Sequence, residues 1–132
     1  IVLQGRGDRY PKRRGLTRVD ELWAAGATVG IGHDSVVDPW YRLGTANLLD
    51  PAYMLVHAGH LTGEQEMTRA FQTLHRENHL PFGDIPVLQQ GAQADFLWFP
   101  STNPIETLRL RPRPRIFHSG DEVRFKSIDV NC

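Results

Sequence analysis

His33 and Asp34 stand side by side behind a small apolar run, Ala27-Thr28-Val29-Gly30-Ile31-Gly32. Ser35 and then an aromatic-rich stretch, Asp38-Pro39-Trp40-Tyr41, follow them. An imidazole beside a carboxylate is a pairing that proton relays and metal centres use. In a parallel α/β protein, side chains at the carboxyl end of a buried strand line the reactive face. The run therefore reads as one wall of a reactive site, with further donors needed from other strands. Plainer roles compete with that reading. Asp34 would cap the turn after the strand, His33 would be a packed ring, and Trp40 and Tyr41 would be core aromatics rather than a platform for a flat ligand.

Other polar groups carry weaker patterns. His57 and His60 have an i, i+3 spacing that suits a metal on a helix, but no cysteine or carboxylate partners them nearby, which favours surface or packing roles. His75, His79 and His118 follow no pattern. Lys12-Arg13-Arg14 offers either an anion site or a solvated loop. Arg109, Arg111, Arg113 and Arg115 alternate around Pro112 and Pro114, as in an edge strand protected by charge and proline.

Several elements must position these groups. Ile1-Val2-Leu3-Gln4 reads as a short strand. Thr17 then offers an N-cap, with Asp20 and Glu21 in the first turn and Val19, Leu22 and Trp23 as the apolar stripe. Gly26 sits where that helix should stop, and Ala27–Ile31 reads as a strand covered on both faces, completing a right-handed βαβ unit. Residues 45–61 form a helical pattern with Leu48, Leu49, Ala52, Leu55, Val56 and Gly59 near one face. Either it starts with Asp50 as cap and Pro51 at the first position, or Pro51 kinks a longer helix. Thr62 and Gln65 suggest a capping box for a further helix with Met67, Ala70, Phe71 and Leu74 inward, stopping near Asn78. From Phe82 no helical period is evident. Ile85–Leu88, Ala94–Phe99, Ile116–His118 and Val123–Phe125 read as strands, the last two joined at Ser119-Gly120-Asp121. A boundary near Pro81 separates an α/β part from a small antiparallel β part.

Composition narrows the class. The 132 residues carry 15 basic and 15 acidic side chains, so the basic excess expected of a nucleic-acid or acidic-membrane binder is missing. No apolar run approaches the roughly 20 residues of a membrane span. The lone cysteine, Cys132, excludes an intrachain disulfide and suits a reducing compartment, so a cytoplasmic location is expected. No secretory signal is evident. The opening on Ile1-Val2-Leu3, without a methionine, leads us to expect sequence upstream.

Taken together, these residues resemble a known family. Leu3-Gln4-Gly5-Arg6, Tyr10-Pro11-Lys12-Arg13-Arg14-Gly15 with Thr17-Arg18-Val19, Gly32-His33-Asp34 with Asp38-Pro39-Trp40-Tyr41, and Leu43-Gly44-Thr45-Ala46-Asn47 are similar to the C-terminal part of bacterial cytosine deaminases. Those enzymes belong to the metal-dependent amidohydrolase superfamily. Gly83–Ile85, Gly91 with Ala94-Asp95, and Gly120 before Val123 resemble the superfamily's closing β-sandwich segment. The resemblance spans nearly the whole chain, and its His-Asp motifs are the specific ones.

The resemblance implies an α/β fold. Residues 1–81 would form the last strands and helices of a (β/α)8 TIM barrel, and residues 82–132 part of a small antiparallel β-sandwich. It implies hydrolytic deamination of cytosine or a related aminopyrimidine by a metal-bound hydroxide, with one divalent ion, iron or zinc, in the complete enzyme. Asp34 would be the metal ligand and catalytic proton acceptor, Trp40 and Ser35 would contact substrate, and His33 would support the ligand from behind. Barrels of this kind run to about 250 residues. This chain supplies what look like two of the eight strands, so on its own it should be inactive and bind little or no metal. Its expected partners are a small heterocyclic substrate and the remainder of the barrel or another protein chain, not nucleic acid or a membrane. Ser35 departs from the family, which carries a second carboxylate after the metal aspartate. That departure keeps two alternatives open: an amidohydrolase acting on another aminoazine or cyclic amide, and a non-catalytic module with a vestigial site.

Overall fold

The computed structural model describes residues 7–11, 15–75 and 89–123. Its first helix, α1 (Val19–Ala24), turns Val19 and Trp23 inward and leaves Leu22 40% exposed, so two of the three expected stripe residues face the core. Arg18, rather than Thr17, holds the N-cap position, and no side-chain cap bond forms. The stop is as expected. Gly26 adopts φ 79°, its N–H donates to the Trp23 carbonyl (3.1 Å), and Ala27 N–H donates to Leu22 (2.9 Å). That pair of bonds is a Schellman motif, which a left-handed glycine completes at little steric cost.

Helix α2 (Leu49–Ala58) starts one residue before Asp50, so neither expected start is the one adopted. Asn47 organises the entry instead: its side-chain oxygen accepts from Leu49 N–H (3.1 Å) and its carbonyl from Asp50 N–H (3.0 Å). Pro51 then falls within the first turn, where a missing N–H costs the helix nothing. Leu49, Ala52, Leu55 and Val56 are buried, whereas Leu48 is 37% exposed. At the far end His60 takes the left-handed position (φ 56°), and Leu61 N–H donates back to Val56 (3.0 Å).

Helix α3 (Glu64–Gln72) is capped one residue later than the Thr62/Gln65 pattern suggests. Gly63 is the N-cap, and Glu66 reaches back to accept its N–H at 2.8 Å. Ala70 is fully buried, with Met67, Phe71 and Leu74 packed around it as the stripe predicts. Arg69 lies over the Trp23 ring at 4.6 Å, joining α3 to α1.

The second half departs most from expectation. Residues 104–110 form a helix, α4 (Pro104–Leu110), where no helix was expected and where the arginine alternation suggested a strand. Asn103 accepts the Glu106 N–H (2.9 Å), Pro104 occupies the first turn, and Arg109 chelates Glu106 through bonds of 3.0 and 2.7 Å. Arg109 is thus helical, Arg111 ends the helix in the left-handed region (φ 45°), and only Arg115 lies in a strand. Leu108 joins the core, and α2, α3 and α4 pack on one another.

One antiparallel sheet is present among the described residues, in the order β1 (Phe96–Trp98), β2 (Arg115–His118), β3 (Asp121–Val123). His118 pairs with Asp121, which leaves a two-residue turn of Ser119 (φ 52°) and Gly120 (φ 87°). Both positive φ values mark a type I′ turn; a hairpin forms where the sequence predicts one, but Asp121 belongs to β3, which starts two residues before the expected Val123. Phe96 stacks on Phe117 across the β1–β2 ladder at 4.7 Å. The strand expected at Ala27–Ile31 is not part of this sheet, which is a correction. Val29 and Ile31 instead pack half-buried against the helical core. A parallel strand takes its register from neighbouring βα units, and the first of these, at Ile1–Gln4, falls outside the described residues, as do Ile85–Leu88, His79 and Lys12-Arg13-Arg14.

Candidate active site

Residues 29–35 run along one side of a cleft of about 490 Å³, with Asp50, Met54, Leu55 and Thr73 from the helical side facing them. His33, Asp34 and Ser35 line this cleft, so the structure brings three of the four predicted site residues together. Asp34 has φ 64°, a left-handed conformation that costs a β-carbon residue about 1 kcal/mol and is tolerated best by Asp and Asn.

The turn is braced from its two flanks. His33 Nδ1 lies 2.9 Å from the Ser35 carbonyl oxygen. A carbonyl only accepts, so Nδ1 is the donor in this contact. The His33 ring also sits 6.3 Å from that of Tyr41, tilted by 43°. On the other flank the loop folds around the Asp38 side chain. Asp38 Oδ1 in turn accepts the backbone N–H groups of Trp40 (2.9 Å) and Tyr41 (2.8 Å), and Asp38 N–H donates to the Tyr41 carbonyl (3.0 Å). The Ser35 hydroxyl first, then the Tyr41 and Trp40 amides, hold the Asp38 carboxyl below its ordinary value of 3.8.

Trp40 takes a different place from the other three. Its side chain is 66% exposed at the tip of the loop, and Tyr41 supplies the aromatic lining of the cleft. The loop closes on itself where Gly44 meets Val36, so tightly that a β-carbon at Gly44 would overlap the Val36 backbone. Glycine is required there by close approach rather than by φ.

Two residues in this region were not singled out from sequence. Asp38 appeared only as part of the motif, yet it is the acceptor around which the loop folds. Asp50 was considered only as a helix cap, but it lines the cleft. It accepts from Thr45 Oγ1 (2.5 Å) and pairs with Arg111 Nε (3.5 Å). An Asp-x-aromatic-aromatic spacing is a readable signal for the first. Nothing local signals the second.

The histidine pair at 57 and 60 serves helix α2. His57 Nδ1 donates to the Tyr53 carbonyl at 2.8 Å with its ring 4.0 Å from that of Tyr53, and His60 ends the helix. His118 sits 3.0 Å from Asp95, at the hairpin, and His75 lies against Phe71. Among the described residues no three His, Cys, Asp or Glu side chains come together as a metal site. A mononuclear centre needs at least four donors, so Asp34 alone does not fit one.

A model of the amidohydrolase family matches residues 1–112, and the chain belongs to that family. It is similar to the crystal structure of 5-methylcytosine deaminase from Klebsiella pneumoniae liganded with phosphonocytosine. That match has a TM-score of 0.81 and 32% identity, and covers 98% of this chain and 32% of the deaminase. The same deaminase liganded with 5-fluorocytosine matches with a TM-score of 0.81 and 33% identity, over 96% of this chain and 31% of that one. The chain thus spans about one third of the enzyme it resembles. No curated protein sequence matches it. The cytosine-deaminase-like character expected from the His33-Asp34 and Asp38–Tyr41 motifs is borne out.

Proposed function

We propose that this chain is the part of a metal-dependent hydrolase that carries one wall of its active site, and that the complete enzyme deaminates cytosine or a related aminopyrimidine. The observation that carries the reading is the 0.81 TM-score at 32% identity over 98% of the chain, together with a cleft that presents Asp34 and His33. Residues 1–81 would be the closing βα units of a (β/α)8 barrel and residues 82–132 a β-sandwich segment, with Leu108 and Arg111 tying the second to the first. Asp34 would give the metal, iron or zinc, one carboxylate ligand, and the rest of the barrel would give the others.

In that enzyme Asp34 Oδ takes the proton of the attacking water, and its left-handed kink holds the carboxylate toward the substrate. His33, with Nδ1 committed to Ser35, supports Asp34 from beside it. Trp40, at the tip of a loop pinned by Asp38, is placed to fold over a flat ring. No helix among the described residues is long and apolar enough to cross a membrane, and the substrate is a small soluble heterocycle.

A second reading, another aminoazine or a cyclic amide as substrate, is favoured by Ser35. Its side chain is a neutral hydroxyl, so no second carboxylate directly follows Asp34 in the sequence. One experiment addresses both readings. The full-length protein containing this segment is purified with its metal, and ammonia release is measured on cytosine, 5-methylcytosine, 5-fluorocytosine and a set of aminoazines and cyclic amides. Release from the pyrimidines supports the first reading, and release from the others alone supports the second. A metal-loaded protein that hydrolyses none of them would leave the vestigial reading. The 132-residue chain by itself is expected to hold no stoichiometric metal and to release no ammonia.

A further inference from the structure

Asp50 stands at the cleft with partners on two other parts of the chain. It belongs to the first turn of α2 and lines the same cleft as Asp34 and Tyr41. Its Oδ2 accepts the Thr45 hydroxyl at 2.5 Å, and that hydroxyl oxygen accepts the Asn47 N–H at 3.1 Å. Its Oδ1 lies 3.5 Å from Arg111 Nε. The Arg111 guanidinium also rests 3.8 Å from the ring centre of Tyr53, one turn further along α2, while its N–H donates to Thr107 at the end of α4 (2.9 Å). Thr45 directly follows Gly44, which sits against the backbone of Val36, two residues beyond Asp34. Contacts therefore run without a break from α4, through Asp50 and Thr45, to both ends of the loop that carries Tyr41.

We infer that Asp50 is a positioning residue that clasps the closing end of the 36–44 loop to α2 and, through Arg111, to α4, and so fixes the Tyr41 side of the cleft relative to Asp34. Its kinetic consequence rests on the proposed function, whereas its structural one rests on these contacts alone. A plainer role exists for a carboxylate here, since it complements the positive end of the α2 dipole. That role asks only for a negative charge in the first turn and is indifferent to Thr45 and Arg111. A clasp needs an oxygen on each side at the right distance. Glutamate therefore separates the two, because it keeps the charge and moves the oxygens by one methylene. Displacements of about 1 Å cost reactive sites up to roughly 100-fold.

The test compares Thr45→Val, Asp50→Ala, Asp50→Glu and Arg111→Ala in the full-length, metal-loaded protein, with cytosine and 5-methylcytosine as the probe substrates. For Thr45→Val, Asp50→Ala and Asp50→Glu we expect kcat to fall by about tenfold with metal content unchanged. A merely structural role would not lower turnover per folded, metal-loaded molecule. Amide hydrogen exchange of a peptide spanning residues 38–44, which none of these side chains touches directly, should accelerate in all four variants. Adding Arg111→Ala to Asp50→Ala should accelerate it no further, because the clasp is already open. An Asp50→Glu variant with the turnover and exchange of the parent would overturn the inference and leave only the dipole role. Parental exchange of the 38–44 peptide in Thr45→Val or in Arg111→Ala would overturn it as well. If the parent protein deaminates neither probe, the functional reading fails, and exchange decides the positioning role by itself. If Asp50→Ala does not fold, Thr45→Val, which removes one exposed hydroxyl, is read in its place.

Discussion

Arg111 reaches from the end of α4 onto α2, where its guanidinium lies 3.8 Å from the centre of the Tyr53 ring and its Nε 3.5 Å from the Asp50 carboxylate. Both charged side chains are about one-third exposed, so water screens the ion pair and the aromatic stacking carries much of the contact. The contact joins the segment after residue 89 to the rim of the cleft. Arg111→Lys keeps the charge but loses the flat stacking face. It should destabilise by about 1 kcal/mol in urea unfolding. A double-mutant cycle with Asp50→Asn should give a coupling of about 0.5 kcal/mol.

Asp34 and Trp40 should fail in different ways in a complete enzyme. Asp34→Asn suits the left-handed backbone as well as aspartate does, so its effect reports chemistry rather than strain. Turnover should fall by about 10²-fold or more if a proton acceptor is lost. Trp40→Leu removes an exposed ring, so stability should change by less than about 0.5 kcal/mol. Substrate binding should weaken by about 1–3 kcal/mol while metal content is retained. Steady-state kinetics with metal analysis separates the two. Normal turnover in Asp34→Asn would reduce Asp34 to a turn residue.

Acid should loosen the 38–41 loop through Asp38. Its folded-state carboxyl titrates below the ordinary 3.8, held there by the Ser35 hydroxyl and the Tyr41 and Trp40 amides. A depressed carboxyl contributes stability that is fully present above its unfolded value and is lost as pH falls through the folded one. The loop should therefore hold down to about pH 4 and weaken below it. In Asp38→Asn that part of the acid dependence should be missing. Thermal midpoints measured between about pH 2 and 5 check the slope.

The cap of α4 offers a local test. Asn103→Ala should cost about 1 kcal/mol, since the Glu106 N–H then loses its acceptor, whereas Asn103→Asp should be near neutral. Urea midpoints of the two variants should differ in that order.

The hairpin turn predicts effects of opposite sign at adjacent positions. Ser119→Gly relieves a positive φ and should stabilise by a few tenths to about 1 kcal/mol. Gly120→Ala imposes one and should destabilise by about 1 kcal/mol. Thermal unfolding of both variants reads the difference.

Legibility from sequence followed the range of the interactions involved. The stripe Met67–Ala70–Phe71–Leu74 and the Ser119-Gly120 turn could be read because spacing and φ demand are local properties. Caps slipped by a residue, as at Gly63, because Thr62 and Gly63 offer competing starts and tertiary packing chooses between them. Helix α4 escaped notice although Asn103-Pro104 and Glu106 are an N-terminal signature, because seven residues give too short a period beside two prolines. The segment at Ala27–Ile31 has strand composition, but its ladder depends on strands far away in sequence. At the site, His33 and Asp34 were visible by residue type. The part Asp50 plays was not, since it depends on Arg111, sixty-one positions later.

The meeting of Val36 and Gly44 makes the intervening loop a closed bight, with Trp40 at its far point. Its two ends share one anchorage, so residues at the tip can be exchanged, added or removed without pulling on Asp34 on one side or on α2 on the other. A chain built this way can change the side chains at the tip by rewriting the bight alone, while the turn at Asp34 keeps its place.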